Sequence, residues 1–186
     1  MKRILTSLSL VFVLVTNAIA GDTLTDDQAK RFVESLETVN GFGADLEAAG
    51  KTERLAIDTQ PKAGEKFMPY TKALTALKAN YPADHAKFSK MIKPHGFNAE
   101  EWSGVGDRVM VAYLALRMQE DDPQAMAALK EMDRSMLDMM PPEMKTQMEA
   151  AMVMIDAVQS APAEDIKAVR SVKPELDAYM EAQEKS

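Results

Sequence analysis

The chain has 186 residues, with 29 acidic and 22 basic groups, two histidines and no cysteine. A formal net charge of −7 argues against nucleic acid or an anionic lipid surface as partner, since both need a concentrated basic face. The absence of cysteine excludes a disulfide framework, a thiolate nucleophile and a lipid attached through sulfur.

Lys2 and Arg3 precede a largely apolar stretch from Ile4 to Val15, and Ala18-Ile19-Ala20 follows. That is the pattern of a secretory signal peptide with cleavage between Ala20 and Gly21. About twelve apolar residues are too few for a membrane span, which needs about twenty. The expected mature chain is residues 21–186, the size of one domain. Without Lys2 and Arg3 it carries 20 basic against 29 acidic groups, a formal charge of −9. No other apolar run is long enough to span. A soluble exported protein, periplasmic or secreted and with no membrane attachment after cleavage, is the expectation.

Thr25-Asp26-Asp27-Gln28 reads as a capping box, and Ala29, Phe32, Val33, Leu36 and Val39 then repeat at helical spacing. Gly41 or Gly43 is the expected end of this helix. Residues 44–56 suit a second short helix, weakened by Gly50, and 57–64 a loop around Pro61 and Gly64. Phe67, Tyr70, Leu74, Leu77 and Tyr81 share a face of the next helix, with Pro69 near its start. Pro82 opens another, carrying Phe88, Met91 and Ile92, and Lys93-Pro94-His95-Gly96 turns the chain.

The central element follows. Asn98 and Glu101 form a second capping box, after which Trp102, Val105, Gly106, Val109, Ala112, Tyr113 and Leu116 make one stripe. Leu114 and Met118 extend the apolar surface round the second half, so a helix over 99–119 should be buried on most sides. Trp102, Val109, Tyr113 and Leu116 are its expected core anchors. Glu100, Gly104 and Asp107 face the other way, toward solvent or a close neighbour. Gly104 and Gly106 each weaken a helix interior by about 1 kcal/mol relative to alanine, which predicts a close helix contact or a kink.

Asp122-Pro123 begins a helix whose apolar stripe is Leu129, Met132, Met136, Met139 and Met140. Pro141-Pro142 breaks it and opens an antiparallel partner striped by Met144, Met148, Ala151, Met152, Ile155 and Val158. Two short helices, 162–169 and 174–184, close the chain. No stretch alternates at the period of a strand. The predicted fold is an all-α single-domain bundle of about seven helices, with a central buried helix over 99–119 and a methionine-rich hairpin.

Catalytic signals are sparse. His85 and His95 fall in no metal-binding spacing, and Ser103 and Ser135 have no nucleophile-elbow context. The acidic pairs Glu100-Glu101 and Asp121-Asp122 suit helix N-termini, where the dipole favours carboxylates. No catalytic residue, resident metal or cofactor is expected. Methionine is the unusual residue: fifteen in all, concentrated between Met126 and Met154. Thioethers are soft ligands that prefer Cu(I), and Met136, Met140, Met144, Met148, Met152 and Met154 are the candidate ligands for such an ion. The same residues occupy the apolar positions any amphipathic hairpin must fill, and methionine also serves adaptable binding surfaces. Inward core packing is the expected role.

The run from Gly96, GFNAEEWSGVGDRV, resembles a segment of uncharacterised secreted helical proteins of Gram-negative bacteria, which implies export and a helical fold. Leu24-Thr25-Asp26-Asp27-Gln28 is similar to the motif of Spy- and CpxP-like periplasmic proteins, which implies a stress chaperone. That family shows the motif more than once; here it occurs once.

Together these features lead to an exported, non-enzymatic helical binding protein whose partner is a protein or a hydrophobic ligand. A Spy-like chaperone and a Cu(I)-binding protein are the alternatives. N-terminal sequencing of the exported form should read Gly-Asp-Thr-Leu from Gly21; a chain that keeps Met1 in the membrane fraction would overturn the export reading.

Overall fold

Thr25 accepts a hydrogen bond on its hydroxyl from the Gln28 N–H at 3.1 Å, and Gln28 Oε1 accepts from the Thr25 N–H at 3.0 Å. This reciprocal cap starts α1, Asp26–Ala48. The computed structural model describes residues 23–55, 65–121, 124 and 141–185. The signal segment with its Ala20-Gly21 junction, the whole of the expected 57–64 loop and nearly all of the first arm of the methionine hairpin lie outside the described residues.

The helix α1 does not stop at Gly41 or Gly43 but runs through both. Neither glycine lies within 4 Å of a neighbour that an added Cβ would meet. Two glycines weaken the helix by about 1 kcal/mol each, but Phe42 and Leu46 are buried beside them. Burying such side chains contributes about 1.5–3 kcal/mol apiece, so tertiary packing overrides the local signal. The end comes one turn later. Gly50 takes φ +64°, its N–H reaches the Glu47 carbonyl at 2.8 Å, and the Lys51 N–H reaches Leu46 at 3.0 Å. That pair of bonds around a left-handed glycine is a Schellman stop. The expected short helix over 44–56 is therefore the last turn of α1 followed by a single 3₁₀ turn at Glu53–Leu55.

Then come α2 (Pro69–Asn80) and α3 (Pro82–Ile92), both started by proline, and a 3₁₀ turn, Lys93–His95. The central helix α4 spans Ala99–Asp121, slightly longer than expected. It is followed by α5 (Pro142–Gln159), α6 (Ala163–Arg170) and α7 (Lys173–Glu184). There is no strand among the described residues. The molecule is a single-domain all-helical bundle.

Helix α4 touches α1, α2, α3, α5 and α6, and the packing explains why. Trp102 is 4% exposed and meets rings from three helices: Phe32 of α1 at 5.1 Å, Tyr70 of α2 at 5.4 Å and Phe88 of α3 at 5.1 Å. Its indole N–H donates to Ser35 Oγ at 2.7 Å, and that hydroxyl donates to the Phe32 carbonyl at 2.6 Å. Val109, Tyr113 and Leu116 continue the buried stripe. Toward the far end Tyr113 donates to Asp177 of α7 at 2.6 Å. Burial and that carboxylate push the Tyr113 phenol up to about 12.

The two glycines of α4 do different things. A Cβ on Gly106 would lie 2.8 Å from Phe32 Cε2 and 2.9 Å from Tyr70 Cγ, so only hydrogen fits. At Gly104 nothing lies within 4 Å. Gly106→Ala should therefore destabilise by about 1–3 kcal/mol through overpacking, while Gly104→Ala should stabilise by about 1 kcal/mol from helix propensity. Urea denaturation of the two variants should show opposite signs; shifts in the same direction would mean that the close approach at Gly106 has been misassigned.

Candidate functional site: a cleft beside the central helix

The open space at Gly104 belongs to a cleft of about 610 Å³. Its floor is the face of α4 carrying Gly104, Asp107, Arg108, Val111 and Ala112. One wall is the lead-in to α2, Glu65 to Met68, together with Thr71; the other is Val153, Asp156, Ala157 and Ser160 of α5. The 161–162 turn and Asp165 of α6 close one end.

Two buried carboxylates build this site, and each joins elements distant in sequence. Helix α2 has no capping side chain of its own: Met68 stands at its N-cap and makes no side-chain bond. Asp107 supplies the cap from α4. It accepts from the Tyr70 N–H at 2.7 Å, from the Thr71 N–H at 3.3 Å and from the Thr71 hydroxyl at 2.5 Å. Asp107 is 5% exposed. Burial raises its carboxyl above the usual range, against the lowering effect of those hydrogen bonds.

Asp165 is 2% exposed. It accepts from Arg108 Nε at 2.9 Å and Nη2 at 2.7 Å, and from the Leu24 N–H at 2.6 Å. The Arg108 fork is thus closed bidentately on Asp165, and the strap before α1 is tied to α6 through the same carboxylate. Helical period sets Asp107 toward solvent or a close neighbour and gives Arg108 and Asp165 no part in a site. A signal was present: an adjacent Asp-Arg pair in an otherwise apolar helical run is expensive to bury unless partners wait for it. Those partners are 36 and 57 residues away for Asp107 and Arg108 respectively, which periodicity does not show.

The residues singled out from sequence fall as follows. Trp102, Val109, Tyr113 and Leu116 are buried, and none of them lines the cleft. Ser103 donates to the Glu100 carbonyl at 3.1 Å. The His95 carbonyl accepts from Arg31 at 3.2 Å, and neither histidine is among the described lining residues. Ser135 lies outside the described residues. Ser160, at the cleft edge, donates to the Asp156 carbonyl at 2.7 Å. Leu24, Thr25 and Gln28 are all engaged in the α1 cap and the Asp165 bond.

Of the candidate copper ligands, Met136 and Met140 lie outside the described residues. Inward packing of the stripe holds at Met152, which is buried, but Met144 is 56% and Met154 39% exposed and Met148 is half-buried. The reason is angular. Met152 and Met154 are about 200° apart on a helix turning about 100° per residue, so one faces the bundle and the other faces water. Among the described residues no group of three or more carboxylates and histidines is placed to hold a metal ion.

Asp107 lends itself to a test of sign. With its folded-state carboxyl raised, the folded protein binds this proton more readily than the unfolded chain. Its ionisation therefore opposes folding as pH rises through the carboxylate range. Asp107→Asn removes that effect and keeps an acceptor for α2, so at pH 7 it should change stability by less than about 1 kcal/mol. Asp107→Ala orphans buried donors and should lose about 1–3 kcal/mol. Denaturation at pH 4 and pH 7 should also show wild type gaining relative to the Asn variant at the lower pH; no such gain would mean the carboxylate is not held in a desolvated site.

No protein-family model, curated protein or solved structure matches the chain, so the cleft has to be read from its own geometry.

Proposed function

We propose that this chain is an exported, periplasmic helical protein that works by binding, not by catalysis, and that it takes a ligand with an apolar body in the cleft beside α4. The basic, apolar and small-residue segments at Lys2–Ala20 support export. The observation that carries the binding site is the cleft itself: about 610 Å³, within the range of small-molecule sites. Val111, Ala112, Val153 and Ala157 supply its apolar surface. Its buried polar groups, Asp107 and the Arg108–Asp165 pair, already satisfy helix ends and each other. They shape the cavity and are not arranged as a nucleophile with its base.

The test is direct. The neutral fluorophore N-phenyl-1-naphthylamine should bind the purified protein at one site, with affinity in the micromolar range. Ala157→Phe places a ring in the cleft and should weaken that binding at least tenfold while circular dichroism and melting temperature stay near wild type. Absence of saturable binding, or an unchanged affinity in the filled variant, would remove the cleft as a binding site.

A further inference from the structure

Asp107 holds an unusual position in this cleft. Among the described residues its partners are all neutral, two backbone N–H groups and one hydroxyl, and no ion pair reaches it. Buried carboxylates normally face a cation. The nearest thing here is the N-terminus of α2, whose partial positive charge is roughly half a unit. Asp107 thus stands at the wall of an apolar cavity with no full counter-charge among the described residues.

Asp156 and Asp165 also line the cleft, while Arg108 is already closed on Asp165 and Lys66 is exposed at the rim. Glu65 is matched by Lys72 at 2.7 Å. Low-dielectric walls focus the charge that Asp107 presents there. The approach is open as well. Gly104 lies one turn before Asp107 on the same helix face, and no atom lies within 4 Å of where its Cβ would be. An inorganic cation does not fit this geometry, because the carboxylates are spread over separate elements and do not converge as a ligand set.

We infer that the cleft takes an organic cation, an ammonium carried on an apolar body, with the charged head drawn to Asp107 and the hydrocarbon laid along Val111, Val153 and Ala157. The head supplies the charge the site lacks, and the body covers the apolar walls. A ligand with the same body and a carboxylate head meets Asp107 with like charge, and the site discriminates against it. This inference rests on the reading of the cleft as a binding site.

The experiment displaces bound N-phenyl-1-naphthylamine from the full mature chain with two ligands of equal chain length, dodecyltrimethylammonium and dodecanoate, both below their micelle concentrations. The cation should compete at least tenfold more tightly at low ionic strength. Raising sodium chloride to 0.5 M should shrink that ratio, since screening acts within a Debye length of about 10 Å or less above 0.1 M. In Asp107→Asn the ratio should collapse toward one. Should that variant fail to fold, the salt dependence of the wild-type ratio still decides. Equal competition by both ligands, preference for dodecanoate, or a cation preference that survives both salt and Asp107→Asn would overturn the organic-cation assignment and leave the cleft reading standing. Failure of the neutral probe to bind at all would remove the cleft reading, and this inference with it.

Discussion

Trp102 is the point at which four helices are fixed to one another. A bundle needs more than apolar stripes, because stripes alone let helices rotate and slide. Here one indole sits against Phe32, Tyr70 and Phe88 from α1, α2 and α3, two of them edge-on, the geometry aromatic quadrupoles favour. The indole N–H to Ser35 bond then sets the rotation of α1 as well as its distance. One turn along α4, Gly106 lets Phe32 and Tyr70 pack edge to face at 5.5 Å directly against the helix backbone. Tyr70 is so enclosed that burial pushes its phenol up to about 12.

On the side of α4 away from that cluster, the organisation is polar and acts through helix ends. Asp107 caps α2 and the Arg108–Asp165 pair joins α4 to α6 and to the strap at Leu24. Breaking such a pair on one side strands a buried charge, a loss typically of about 3–5 kcal/mol. These adjacent residues point to different neighbours because successive side chains on a helix diverge by about 100°. The same divergence leaves a gap between the α2 lead-in and α5, with Gly104 adding no side chain to fill it. The cleft is a consequence of where the caps sit.

Much of this was legible in the residues. The capping boxes at Thr25 and Asn98, the proline starts of α2 and α3 and the buried stripe of α4 all follow from local chemistry and helical period. Two features depart from the local pattern. Gly41 and Gly43 resemble a helix end until Phe42 is found packed on Phe88, 5.6 Å ring to ring. The methionines of α5 resemble a continuous inward stripe until Met144 and Met154 are found exposed. At Gly41 and Gly43 a partner from another helix decides, and sequence periodicity carries no information about that partner. Asp107 and Asp165 were hidden for the same reason, and with them the cleft.

Tyr70 shows that the core and the cleft are not separable parts. Its ring packs edge-on against Trp102 and Phe32, while its backbone N–H is held by Asp107 in the cleft wall. A change in charge or occupancy at Asp107 therefore acts on the first turn of α2, and through Tyr70 on the aromatic cluster that fixes α1 and α3. Packed interiors at crystal-like density transmit such displacements and do not absorb them. A cavity whose wall is the cap of a core helix has its shape set by the fold's own stability, so the cleft is preformed and held by the same contacts that hold the core.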